Sequence, residues 1–267
     1  MLRTIFICFL SIVSPIILAA DDELKDNPLD PGLSYKYRGF LGLVVGGGPN
    51  IQNGDMGVWC QSCLFDNGRG TGYVIGLTYD HYIEEYLSFG AAVNYEDYSF
   101  EAKYRETSYR EFEAGSNGQS VRLPLELQQD AKLDLQYITA VPYVRLRPFE
   151  LLSFRLGAMA SFGSPQLTHT ENVINRIHTI GGQLFVIDEL RPNENLDSGD
   201  VPPDASTNQF SLFIAANTHI WLRYNLFLTG GIEWRQQITS YGFYNSDFTV
   251  TAPRFTLGLE YMIYREQ

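Results

Sequence analysis

The sequence predicts an all-β protein, an eight-stranded antiparallel up-and-down transmembrane β-barrel with long extracellular loops and short periplasmic turns. Three observations predict it. Apolar residues recur at every second position in eight separate segments. The connections between those segments alternate between long and short. The chain opens on an export-type leader, and beyond residue 20 no apolar run reaches the ~18–20 residues that a membrane helix needs.

The leader, MLRTIFICFLSIVSPIILAA, carries one early positive charge, Arg3, then an apolar stretch from Thr4 to Leu18, then Ala19 and Ala20. It reads as a signal peptide over residues 1–20. Residues 21–35 read as a flexible acidic periplasmic segment, and residues 36–267 as the barrel domain. A formal net charge of −12 argues against nucleic acid as a partner, because phosphate binding needs a basic surface. An aromatic content of 14% is high, as interfacial girdles would require.

The first strand is expected over 36–47, where Tyr37 to Val45 is apolar on both parities. In the second, 70–79, Tyr73, Ile75, Leu77 and Tyr79 oppose Gly72, Gly76 and Thr78. The third, 86–104, sets Leu87, Phe89, Ala91, Val93 and Tyr95 against Ser88, Gly90, Ala92, Asn94 and Glu96. In the fourth, 131–146, Leu133, Leu135, Tyr137 and Val141 oppose Asp134 and Gln136; the apolar parity then shifts at Pro142, which suggests a bulge. The fifth, 152–163, alternates cleanly from Leu152 to Phe162, with Arg155 on the minority face. The sixth, 208–220, follows Phe210, Leu212, Ile214 and Ala216. The seventh, 225–240, carries Leu226, Leu228, Ile232 and Trp234 against Thr229, Gly231, Glu233 and Arg235. The eighth, 247–264, ends on Leu257, Leu259, Tyr261 and Ile263 against Thr256, Gly258 and Glu260, with a similar shift at Pro253.

The connections are long (48–69), short (80–85), long (105–130), short (147–151), very long (164–207), short (221–224) and modest (241–246). A membrane barrel predicts tight turns on one side and large loops on the other, and an even strand number puts both termini on the periplasmic side. A soluble sandwich has no reason to segregate its loops in this way.

The minority face is glycine, serine, threonine, asparagine and charge. Directed into a narrow lumen, small residues fit and the charges must pair. A tilted strand climbs ~2.4 Å per residue, so Arg155 and Glu260 come to ~10 Å and Arg235 and Glu96 to ~24 Å above the periplasmic ends. The expected pairs are Arg155–Glu260 and Arg235–Glu96, with Glu233 joining one network.

The closing TLGLEYMIY, with Thr256, Gly258, Tyr261 and Ile263 in alternation, resembles the C-terminal signal of bacterial outer-membrane proteins. The stretch LQYITAVPYVRLRPF (135–149), in which hydrophobic-Pro-hydrophobic precedes an arginine, resembles the strand-to-turn segment of such barrels. The mature chain as a whole is similar to OmpA-like and PorT-like barrels. The resemblance implies residence in the cell outer membrane, handling by the barrel-assembly machinery and contact with the lipid bilayer. It also allows a surface or envelope protein partner. No peptidoglycan-binding domain follows the barrel, so a cell-wall tether is not expected.

Cys60 and Cys63, in WCQSC, form an even pair in an exported chain and are expected to close a loop disulfide. His81 and His219 are placed at periplasmic turns, and His169 and His178 in an exposed polar loop. Asp188, Glu189, Glu194, Asp197, Asp200 and Asp204 read as a solvated acidic loop. No catalytic, cofactor-binding or metal set stands out, so the function expected is structural or surface-interacting, through the loops. The alternatives are a narrow pore, an accessory subunit of an envelope or secretion complex, and, last, a lipid-A-modifying enzyme. YSFEAKYRETSYREFE and SVRLPLELQQ flank the turn signal GSNG, so strands three and four are expected to extend above the membrane as a tyrosine-rich hairpin.

Overall fold

The computed structural model describes residues 37–57, 64–84, 86–114, 119–149, 151–175, 177–180, 183–186, 194–200, 208–223, 225–243 and 246–264. The leader, the acidic segment, Cys60 and Cys63 lie outside the described residues.

Eight long strands form the frame: β1 (Tyr37–Gly54), β2 (Arg69–Glu84), β3 (Leu87–Asp97), β4 (Gln136–Phe149), β5 (Leu152–Gly163), β6 (Asn208–Arg223), β7 (Leu226–Gln237) and β8 (Arg254–Tyr264). Each pairs antiparallel with the next, from β1 with β2 through β7 with β8. β8 in turn pairs with β1, from Tyr37↔Tyr264 to Gly47↔Phe255. β2–β3, β4–β5 and β6–β7 are joined by two residues each, 85–86, 150–151 and 224–225, so one end of the sheet carries the tight turns and both ends of the frame.

Along these strands exposure alternates residue by residue. The exposed rows are apolar: Leu41, Leu43 and Val45 on β1, Ile75 and Leu77 on β2, Phe154 and Leu156 on β5, Ile232 and Trp234 on β7, Phe255, Leu257 and Leu259 on β8. Leu77 is 59% exposed and Leu257 54%, whereas Glu96 is 0% and Arg145 1%. The polarity of an ordinary water-soluble domain is inverted.

Neither expected parity shift occurs. In β4, Tyr137, Thr139, Val141, Tyr143 and Arg145 are all buried, and the register with β3 runs unbroken through Ala91↔Pro142. Pro142 lacks an N–H, and the pairing to β5 merely skips Val141 and Pro142. Phe248, Val250, Ala252, Arg254 and Thr256 likewise keep one buried parity across Pro253. What changes at both prolines is the character of the interior, which turns apolar toward the loop end. Tyr137, Leu133 and Leu135 therefore belong to the core with Met56, Phe65, Phe100, Tyr241 and Phe248, not to the exposed face.

At the loop end the chain is more regular than the sequence suggests. β3 stops at Asp97, and a separate hairpin follows, Phe100–Ala114 paired with Gln119–Asp134 from Phe100↔Leu133 to Ala114↔Gln119. The stretch expected as an exposed loop over 164–207 contains Gln166–Val173, paired with that hairpin, and Glu194–Asp200, paired with Gln166–Val173. The last expected strand, 247–264, divides into Ser246–Thr251, on the outer part of β1, and β8. Arg254 seals this joint: it donates to Pro49 O at 3.0 Å, Asn50 Oδ1 at 2.5 Å and Asp97 O at 2.9 Å.

Candidate functional site: the charged interior

Two layers of charge cross the inside of the sheet, and small residues in the register make room for them. In the layer nearer the turns, Arg145 on β4 is the hub. It donates to Asp80 Oδ2 at 2.6 Å, to both oxygens of Glu260 at 3.0 Å and to Ser153 Oγ at 3.3 Å. A Cβ at Gly42 would meet the Thr78 hydroxyl and the Glu260 side chain, so glycine on β1 is what admits the carboxylate. His219 Nε2 lies 2.8 Å from Arg145 NH2 and 2.8 Å from Ser153 Oγ. A guanidinium only donates, and its contact to Nε2 is shorter than the 3.3 Å to Nδ1, so the arrangement fits the tautomer in which Nε2 accepts and Nδ1, 3.4 Å from Glu260 Oε2, carries the proton.

The order Ser153–His219–Glu260 is that of a nucleophile, its base and an orienting carboxylate. Its setting does not suit attack. Nε2 lies within donating distance of Arg145, and Ser153 is 0% exposed.

In the second layer, Arg235 NH1 lies 2.6 Å from Glu96 Oε1, and NH2 donates to Glu233 Oε2 at 2.5 Å. Glu233 Oε1 accepts from Arg155 NH2 at 3.3 Å, and Arg155 also donates to Asn217 Oδ1 at 2.9 Å. Glu96 accepts from Asn94 Nδ2 at 2.9 Å and from the Tyr98 hydroxyl. Among the described residues, the buried carboxylates Asp80, Glu96, Glu233 and Glu260 are all paired by three buried guanidiniums, Arg145, Arg155 and Arg235, while buried Arg254 bonds backbone carbonyls and Asn50. The Arg155 guanidinium lies 5.5 Å and 5.8 Å from the ring centres of Tyr143 and Phe213, and Phe213 stands opposite Arg235 in the register. A cavity of about 10 Å³, the room one water needs, lies among Asn94, Tyr143, Arg155, Phe213, Glu233 and Arg235.

The structure brings Arg235 to Glu96, and Glu233 links Arg235 to Arg155. It does not bring Arg155 to Glu260. The register sets Arg155 opposite Ala215, and Ala215 opposite Glu233, so Glu233 faces Arg155 across a small side chain. Glu260 pairs instead through Gly42 to Thr78 and meets Arg145. Equal residue counts from the turns are not equal heights in a staggered sheet. Thr256 and Gly258 face inward, and Tyr261 and Ile263 outward.

Arg145, Asp80, Ser153 and His219 are the members that sequence reasoning missed. His219 is buried inside β6 rather than at a turn, because β6 runs on to Arg223. His169 is also buried, with Nε2 2.9 Å from Gln129 Oε1, where an exposed loop was expected. An unbroken period of two through Pro142 would have found Arg145. Among the described residues no group of histidine, cysteine and carboxylates could hold a metal.

Among the described residues, an apolar cluster stands toward each end of the interior. Toward the turns, Phe40, Phe227 and Met262 pack with Tyr82 and Trp221, and Arg147 lies over the Phe40 and Tyr82 rings. Toward the loops stands the aromatic core around Phe100, Tyr137 and Phe248.

No protein-family model matches the chain, and no curated protein matches it. Among solved structures, it is similar to neisserial surface protein A (NspA), with 11% identity over 83% of this chain and 96% of that one, TM-score 0.36. It is similar to Ail, the attachment invasion locus protein of Yersinia pestis, with 15% identity over 85% and 99%, TM-score 0.31. It is also similar to the outer membrane protease OmpT of Escherichia coli, with 10% identity over 85% and 97%, TM-score 0.37.

Proposed function

We propose that the chain is an integral outer-membrane protein whose eight strands close into a transmembrane barrel, with the tight turns and both termini in the periplasm and the hairpins outside. The observation that carries the reading is the inverted polarity: apolar rows outside, paired charges inside. In water an apolar surface of that extent would drive association, whereas in a bilayer it is a solvated face. On this reading Leu77→Arg, near mid-membrane, costs about 2–4 kcal/mol of stability, while Thr71→Arg, nearer the loop end, costs about 0–1 kcal/mol. Urea titration in lipid vesicles measures both, and equal effects would count against the lipid face. Thr256 and Gly258 inward with Tyr261 and Ile263 outward support an OmpA-like or PorT-like terminal strand offered to the barrel-assembly machinery.

The role proposed is non-enzymatic and lies at the surface, in the parts that stand clear of the membrane. The apolar clusters toward the two ends and the salt-bridged layers support a lumen filled by its own side chains, leaving the hairpins to meet a surface or envelope partner. The charged layers favour one second reading, a narrow ion pore. Single-channel recording across a planar bilayer tests it. Inserted but silent protein is expected, and reproducible ion-selective steps would transfer the function to the lumen.

A further inference from the structure

The hairpin strand Phe100–Ala114 pairs along its whole length with Gln119–Asp134 on one side. On its other side, among the described residues, only Glu101 has a strand partner, Arg69. Among the described residues, no strand pairs with the second edge from Ala102 to Ala114, although the Phe65 ring packs 6.2 Å from Tyr104 near its start, and such a row of backbone donors and acceptors is a template for another strand. Lys103, Arg105, Thr107, Tyr109 and Glu111 are exposed along it, and the Lys103–Asp130 pair at 3.7 Å is solvent-exposed and weak.

The sequence of this edge is complementary to itself. A two-fold axis perpendicular to an antiparallel pair sets one residue opposite its own copy. With Ser108 at the axis, Lys103 stands opposite Glu113, Arg105 opposite Glu111 and Glu106 opposite Arg110. The aromatics Tyr104 and Phe112 are opposite each other, as are Ala102 and Ala114. Every charged residue from Lys103 to Glu113 meets its opposite. Moving the axis to Thr107 sets Glu101 against Glu113 and Tyr104 against Arg110. Cross-strand pairs of opposite charge and of aromatics stabilise such a junction, and like charges oppose it.

We propose that Phe100–Ala114 is a homotypic adhesion edge, pairing antiparallel with the same strand of a second copy of this chain in a facing membrane. The opposed membranes follow from direction. This strand continues outward from β3, so copies side by side in one membrane carry it in the same sense, and only copies on facing surfaces run antiparallel. The inference rests on the outer-membrane reading above.

The test uses the full chain displayed on a diderm bacterium with truncated lipopolysaccharide, in two cell populations carrying different fluorescent markers. Wild-type cells should form mixed aggregates in flow cytometry. Arg105→Glu sets glutamate opposite Glu111 twice, and Glu111→Arg sets arginine opposite Arg105 twice. Each variant should lose self-aggregation about tenfold. Mixed together, the two variants should aggregate again, since every contact is then Glu–Glu-free and Arg–Arg-free. Dispersed wild-type cells with the chain in the outer membrane would overturn the proposal alone, as would variants that aggregate like wild type or fail to recover on mixing. Absence of the wild-type chain from the outer-membrane fraction would overturn this proposal and the outer-membrane reading together.

Discussion

Arg235→Met is expected to lower folding stability by about 3–5 kcal/mol, because it strands two buried carboxylates. Glu96 would keep only Asn94 Nδ2 and the Tyr98 hydroxyl, and Glu233 only Arg155 at 3.3 Å. The double variant Arg235→Met/Glu96→Gln should be more stable than the single one, since the charge left without a counter-ion goes with its partner. Urea titration in lipid vesicles, read by the gel shift between folded and heat-unfolded forms, measures both. Equal stability of the two would show that the pair does not exist.

Arg145→Met should be comparably damaging, at about 3–5 kcal/mol, because Asp80 and Glu260 both depend on one guanidinium. Lysine should restore only part of the loss, since a single ammonium cannot span two carboxylates as the planar fork does. Arg155→Met should cost less, because Glu233 keeps Arg235 at 2.5 Å. The decisive comparison is rescue. Glu260→Gln should recover stability in the Arg145→Met background and not in the Arg155→Met background. The reverse result would restore the pairing that residue counting suggests and refute the register.

Much of the frame was legible because alternation is a local signal. Ile75 and Leu77, Phe154 and Leu156, and Leu257 and Leu259 each declared an exposed row, and the short connections at 80–85, 147–151 and 221–224 declared the turn end. Arg235 and Glu96 were legible as partners because both stand far from the turns on a clean minority face. The failures share one cause. Reading apolar as outward holds only where the interior is charged. Near the loops the interior is itself aromatic, so Tyr137 and Phe248 looked like lipid-facing residues and a bulge was invoked at each proline. That false shift removed Arg145 from the inner face and left Glu260 to be matched with the wrong arginine. His219 was lost for a different reason: it adjoins the apolar run Ile220–Trp221–Leu222, in which a strand's end has no local mark.

The central claim is that the apolar rows face lipid while the charges face inward, and Trp234 reports on it directly. It lies on the outward parity of β7, 51% exposed, opposite Ile214. With Trp59 and Trp221 replaced by phenylalanine, the folded protein would be placed in vesicles whose acyl chains carry bromine. Strong quenching of Trp234 emission by the brominated chains, with little quenching by aqueous iodide, is the predicted result. Emission indifferent to bromine and quenched by iodide would put that face in water and contradict the account.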